Sequence, residues 1–325
     1  LHSQQGHKNY RYRNNLCVFC AAGGSLALKN TFINNDNGIY NTGKSALLAT
    51  YNTFSVQTTG VYVTANNNGS AVGINFNNFY QNGISVNFYS NTYLTGSIKN
   101  NNMNNTASAV GTYADNFAIR CTEATLATNP SSYPAFDIDN NNISGYYNGI
   151  YAVNTLSLIA TDNEVHMRED NAFEHWQSGI CVTGSNANRV INNIVDMTTL
   201  NIGSWAYWQS GIFMTLNQVP RVQCNSINNL FNSITFKQNN STTATDGVKS
   251  NYMQNAQNGI WMHNNAVIGN QAGNTGTNSA DNVWNIPNAG SWYTYTQGSS
   301  NPSSHIFFTR SLGSGYDLPN AKASN

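Results

Sequence analysis

The chain has 325 residues, enough for one large domain or two ordinary ones. Only 9% of them are charged, 14 basic residues cancel 14 acidic ones, and 58 are Asn, nearly one in five. So neutral a chain carries no electrostatic footprint for nucleic acid or for an anionic membrane surface.

No apolar run approaches bilayer length, so direct membrane insertion is not expected. With 40% hydrophobic and 12% aromatic residues, the chain is also unlike an ordinary disordered one. A polar, uncharged composition rich in Asn, Gly and β-formers predicts an all-β protein with very many turns.

Residues 1–25, with Tyr10, Arg11, Tyr12 and Arg13 followed by Gly23 and Gly24, precede any repeat and are expected to cap the stack described next. Cys17 and Cys20 lie here. Without a second Cys-x-x-Cys or a βαβ context, they read as a local disulfide or two buried thiols. Cys121, Cys181 and Cys224 stand singly and are expected to pack as small apolar groups. The first residue is not Met and no signal peptide is visible, which predicts a mature or excised piece of a longer secreted protein.

From residue 26 to 270 two marks alternate. One is Gly or a small substitute before a β-branched or aromatic residue: Gly38-Ile39, Gly60-Val61, Gly83-Ile84, Asn116-Phe117, Gly149-Ile150, Gly179-Ile180, Gly211-Ile212, Ser233-Ile234 and Gly259-Ile260. The other is Asn, any residue, then an apolar one, beginning at Asn30, Asn52, Asn77, Asn101, Asn141, Asn163, Asn192, Asn225 and Asn251. Asn is followed 8 residues later by the Gly-type mark in five of nine units, and the shortest whole unit is 22 residues. A period this short, with alternating apolar residues and no helical pattern, predicts a β-solenoid.

Alternation after each Gly predicts one inward column of Ile39, Val61, Ile84, Phe117, Ile150, Ile180, Ile212, Ile234 and Ile260. A second inward column follows two residues later, broken by Asn41 in the first coil. The outward row between them reads Tyr40, Tyr62, Ser85, Ala118, Tyr151, Cys181, Phe213, Thr235 and Trp261, either a sugar-stacking surface or a surface under loops. Loop cover is expected at Cys181 and Phe213. The Asn column is expected to sit at corners, where Asn tolerates the left-handed conformation and its amide can bond along the stack. About nine coils spaced by about 4.8 Å would give a rod on the order of 40 Å long.

These alternating marks resemble the right-handed parallel β-helix repeats of the pectate-lyase-like superfamily, and equally the repeats of large secreted Bacteroidetes cell-surface proteins. The resemblance implies an all-β, right-handed parallel β-helix over 26–270. It leaves activity open, because the fold serves lyases, hydrolases, isomerases, tailspikes and adhesins. The Asn-Thr-Asp, Asp-Asp, Gly-His-Gly and Arg-Ile-Lys motifs of polygalacturonase-like enzymes do not occur here.

The units swell after Asn101, Asn163 and Asn192, the last two in adjacent coils. The paired loops 163–178 and 192–210 hold the densest chemistry, and insertions on a rigid scaffold are where function concentrates. Glu169, Asp170, Glu174 and His175 are the candidates for acid–base work on a glycosidic bond. Trp176, Trp205, Tyr207, Trp208, Tyr151 and Trp261 are the candidates for holding a sugar. Asp162, Glu164, Glu169 and Asp170 are the candidates for a Ca²⁺ site, although no cofactor is required. The alternative is that charged tips solvate the loops while the Trp rings pack them onto the helix flank. Asp137 and Asp139 form a second carboxylate pair on one strand face.

Residues 271–325 leave the period and are expected to cap the stack or connect to a following domain. They resemble the post-helix segments of the Bacteroidetes surface proteins, which implies export by the type IX route to the cell surface or medium. The sequence therefore predicts a non-catalytic adhesive, structural or glycan-binding module with a glycan or another surface protein as partner. The alternative is a carbohydrate-active enzyme (lyase, glycosidase or phage-type depolymerase) with its site on the paired loops.

Overall fold

A computed structural model of the chain describes residues 30–42, 46–64, 71–89, 95–106, 116–122, 136–155, 158–169, 176–184, 188–200, 208–217, 220–240, 247–268, 282–285, 292–297 and 321–324. The expected N-terminal cap, with Cys17 and Cys20, lies outside them. Each of the first eight coils contributes a short strand to each of three sheets, and all pairing among the described residues is parallel between successive coils. The first sheet has ten strands, from Thr31–Ile33 to Val283–Asn285. The second has eleven, from Asn37–Thr42 to Ala321–Ser324, and the third has eight, from Leu47–Thr50 to Val248–Lys249. This is a parallel β-helix of about nine coils. Stacking runs on past residue 270, because Val283–Asn285 pairs with Tyr252–Gln254 and Trp292–Gln297 pairs with Asn258–Val267.

The core fills the space between the sheets. The first sheet sends in Phe54, Phe79, Met103, Ile143, Val165, Val195, Ile227, Met253 and Trp284. Rings of Phe32, Phe54 and Phe79 stack at 4.9 and 4.8 Å, the spacing of neighbouring parallel strands. The second sheet sends in two columns, and here pairing corrects the expected register. Val61 pairs with Val86 rather than Ile84, and Val86 with Ile119 rather than Phe117. The first column is thus Ile39, Val61, Val86, Ile119, Ile150, Ile180, Ile212, Ile234 and Ile260.

The physical reason lies one residue earlier. A Cβ added at Gly60 would lie 2.6 Å from the backbone oxygen of Ser85 and 2.8 Å from the Phe79 ring. At Gly179 it would lie 2.2 Å from Val195 Cγ1, and at Gly149 it would lie 2.5 Å from the Gly179 oxygen. The strand must therefore place a small residue where the first sheet presses closest. Ser85, Ala118 and Ser233, all fully buried, take that place in the coils that lack Gly. Gly83 and Asn116 are not the marks of their coils.

Buried amides form the expected ladder. Side-chain Nδ2 donates to the next Oδ1 from Asn30 through Asn52, Asn77, Asn101, Asn141, Asn163, Asn193, Asn225 and Asn251 to Asn282, at 2.9 to 3.1 Å. The same oxygens accept backbone N–H groups, as Asn193 Oδ1 does from Asn163 at 3.0 Å. From Asn77 onward each Nδ2 also reaches a carbonyl of the preceding coil, for example Asn163 to Ile138 at 2.9 Å. The rung expected at Asn192 is Asn193, because Val195 is the inward residue of that strand and Ile194 faces outward.

The left-handed position is not the ladder Asn but the residue before it: Tyr51, Phe76, Asn100, Asn140, Asp162, Asn192, Cys224 and Ser250, with φ of 53° to 59°. Further Asn is absorbed by two ladders of fewer rungs, Asn188 to Asn217 to Asn240 and Asn258 to Asn232.

Candidate functional site

Trp176 and Trp208, the described aromatic residues of the paired loops, lie over the outer face of the second sheet. Trp176 enters just before the strand Gln177–Thr183, and Trp208 just before Gln209–Thr215. Their rings meet edge-on at 4.4 Å. Trp176 also lies 4.8 Å from Phe213 and 5.9 Å from Trp261, the latter nearly parallel at 19°. Lys237 Nζ sits 5.1 Å from the Trp176 ring centre, and His263 lies 4.6 Å from Trp261. Phe213, Thr235 and Trp261 are successive residues of the outward row and all are buried. One Trp from the sixth coil thus shields the outward row of the next three. Cys181, also buried, precedes them in the same row.

Burial has a chemical consequence for the thiols. It pushes the Cys181 thiol up to about 12, against a hydrogen bond from Thr183 that lowers it, and pushes the Cys121 thiol up to about 12 as well. Both behave as small apolar groups, whereas Cys224 is exposed.

The carboxylates lie elsewhere and take separate partners. Glu164 and His166 project from the outer face of the first sheet, where His166 Nε2 is 3.0 Å from Glu164 and Nδ1 is 2.6 Å from Asp196 of the next coil. Desolvation lowers the imidazole pKa, but the hydrogen bonds and charges of Asp196 and Glu164 outweigh it and leave it raised above 6.5. Glu169 Oε1 accepts from the backbone N–H of Thr199 at 2.7 Å and from its hydroxyl at 3.2 Å. That carboxylate therefore ties one swollen loop to the other. Asp162 accepts a hydrogen bond from Asn192, stacked above it at the left-handed corner.

The second carboxylate pair projects to one face of the third sheet, as its spacing predicted. Lys99, one coil earlier, lies 3.2 Å from Asp137 and 3.4 Å from Asp139, and Thr161 donates to Asp139 at 3.1 Å. Desolvation lowers the Lys99 pKa, while the two carboxylates raise it further and set the net direction.

Of the expected sugar-holding residues, the structure brings Trp176, Trp208 and Trp261 together. Tyr151 lies apart, 5.0 Å from Phe117. Trp205, Tyr207, Asp170, Glu174 and His175 lie outside the described residues. Among the described residues, no three His, Cys, Asp or Glu side chains are grouped to hold a metal ion. Asp162, Glu164 and Glu169 each serve a different neighbour.

Sequence reasoning missed Arg120 and Asn87, which the pairing places in the outward row where Ala118 and Ser85 were expected. The signal was present in the small residue before each inward one, since Ser85-Val86 and Ala118-Ile119 satisfy it. Comparisons with protein-family models, with curated proteins and with solved structures find no match to the chain.

Proposed function

We propose that the chain is a non-catalytic, extracellular β-helix module of a bacterial cell-surface or secreted protein, with an adhesive or structural role and a glycan or another surface protein as partner. The observation that supports it most is the employment of the carboxylates. Asp137 and Asp139 are held by Lys99, Glu164 by His166, Asp162 by Asn192, and Glu169 by the backbone of Thr199. A glycosidic acid–base pair needs two carboxyl groups facing one bond across a gap of roughly 5–10 Å. Asp137, Asp139, Asp162 and Glu169 instead fasten coil to coil, and Glu164 pairs along its own strand.

The stacked amides point the same way, toward a stiff body whose length is its use. The resemblance of the repeats to pectate-lyase-like β-helices and to large Bacteroidetes surface proteins is the ground for placing the module outside the cell, in a longer polypeptide exported by the type IX route. A glycan array run beside reducing-sugar and unsaturated-uronate assays tests the reading. Retention of glycan without release of product is the expected outcome. Release of product would replace it with a carbohydrate-active enzyme.

A further inference from the structure

The outer face of the third sheet carries charge that is sorted along the stack. Strand pairing aligns two outward rows across neighbouring coils. One reads Ser97, Asp137, Ile159, Arg189, Arg221, and the other Lys99, Asp139, Thr161, Ile191, Gln223, Lys249. The residues between them, such as Ile138, Ala160, Val190 and Val222, are fully buried on the other face. Acid thus collects in one coil and base in later ones, with Ile159 and Thr161 separating them. Arg189 is exposed, and Arg221 and Lys249 are half-exposed.

Neither end of this pattern is balanced within the chain. Although only 9% of residues are charged, Arg189 and Arg221 stand directly opposite each other on paired strands. Like charges in that relation are destabilising. No anion compensates them, because the only cations in the ion pairs among the described residues are Lys99 and His166. At the acidic end two carboxylates share one ammonium, that of Lys99, so net negative charge remains. After that pairing the Asp137 side chain is still 37% exposed.

The two imbalances are complementary and lie at matched distances from a midpoint. Asp137 is one coil before Ile159, and Arg189 is one coil after it. A twofold axis lying in the face, along the strand Leu158–Thr161, therefore brings Asp137 over Arg189 of a second copy. The same rotation sets Ile159 and Thr161 over their own counterparts. It also brings Arg221 over Ser97, next to Asp137 in the row. Self-complementarity of this kind is what an isologous dimer requires.

We propose that the outer face of the third sheet is a self-association surface, on which a second copy of the chain docks antiparallel with Asp137 and Arg189 paired reciprocally. Each dimer then holds two such pairs on either side of a half-buried Ile159 contact. Eight short strands, spaced by about 4.8 Å and about 13 Å long, offer about 500 Å² per copy. A standard stable interface buries roughly 800 Å² per partner, so this dimer is weak and governed by charge. It forms whether or not the chain binds glycan.

Sedimentation of the whole chain tests the surface. At low ionic strength a species of twice the 35.5 kDa chain mass is expected as concentration rises. At about 1 M salt, where the screening length falls to about 3 Å, its dissociation constant should rise at least about ten-fold. Asp137→Arg and Arg189→Asp should each abolish the dimer, since each sets like charges together twice. Mixed in equal amounts, the two variants should associate again, because both cross-pairs are then opposite in sign. Misfolded chains cannot imitate that recovery. Should a reversal fail to fold, Asp137→Asn and Arg189→Gln remove one charge with little change of shape, and each must weaken the dimer several-fold. A chain that stays monomeric at low salt, leaving its basic residues to some other anion, would overturn the surface. So would a dimer indifferent to salt or to these substitutions, or a mixture of folded variants that does not associate. Glycan binding is read separately on the array, so the failure of one result leaves the other standing.

Discussion

Asn163 and Asn193 stand 30 residues apart in the chain, yet a single Asn193 Oδ1 receives both the side-chain amide of Asn163 at 2.9 Å and its backbone N–H at 3.0 Å. Neighbouring Asn192 makes one exposed contact, to Asp162. Asn193→Ala would take the side-chain acceptor from the Asn163 N–H and remove one hydrogen bond each from the Asn163 amide and the Ala160 carbonyl. A loss of roughly 2–4 kcal/mol is expected, seen as a lower urea midpoint, against roughly 1 kcal/mol for Asn192→Ala, which gives up its exposed contact and sets Ala at a left-handed φ of 59°. Equal losses from the two would refute the assigned rung.

The small-residue column makes an opposite demand. Gly179→Ala places a methyl against Val195 Cγ1 and the Gly211 backbone oxygen, at 2.2 and 2.9 Å before relaxation. Overpacking of this kind costs about 1–3 kcal/mol. In the same column Ala118→Gly should cost only about 0.5–1 kcal/mol, from added chain entropy. Chemical denaturation of the two variants provides the comparison.

Left-handed corners offer a way to stabilise the protein. Phe76 and Val56 hold φ of 58° and 56°, a conformation that costs a non-Gly residue about 1–2 kcal/mol, and most for a β-branched one. Asn34 fills the position corresponding to Val56 one coil earlier. Val56→Asn and Phe76→Asn should each raise the melting temperature. A fall in the Phe76 variant would mean that its stack on Tyr51, at 5.2 Å, outweighs the strain.

His166 predicts a pH dependence with a definite sign. Its folded pKa is raised, so protonation favours the folded state: the added stability is fully present below the unfolded value of about 6.5 and is lost as pH rises through the folded value. The ring is half-exposed, so solvent screening keeps the effect small. Asp196→Asn should move the His166 titration, followed by proton NMR, downward. A parent imidazole that titrates below 6.5 would contradict the geometry.

Thiol chemistry should sort the described cysteines by burial. Cys224 is expected to react with iodoacetamide in the folded protein, while Cys121 and Cys181 are protected until it unfolds. Mass spectrometry of digested protein reads each site separately.

The 22-residue period and the Asn spacing made the stacked β architecture legible, because repetition averages over local accidents. Single registers were less legible. Asn192 and Asn193 are adjacent, and Ile194 and Val195 are both β-branched, so local sequence permits either frame and only the neighbouring strands choose. Gly83 drew attention because the mark was defined by glycine, whereas packing asks only for a small side chain, which Ser85 supplies. The third sheet went unread because its strands carry neither mark. In the candidate sites, Glu169 and Lys99 look free in sequence, and their partners Thr199, Asp137 and Asp139 come from other coils.

Intervals between successive rungs run from 22 to 40 residues, yet each step is one amide contact of nearly constant length. Contour length is thereby uncoupled from axial advance, as on a ruler whose graduations stay even however much thread is wound between them. Drift in loop size leaves the pitch untouched, and the molecule grows only by whole turns. Natural variants should therefore differ freely in girth while their lengths fall on a discrete scale.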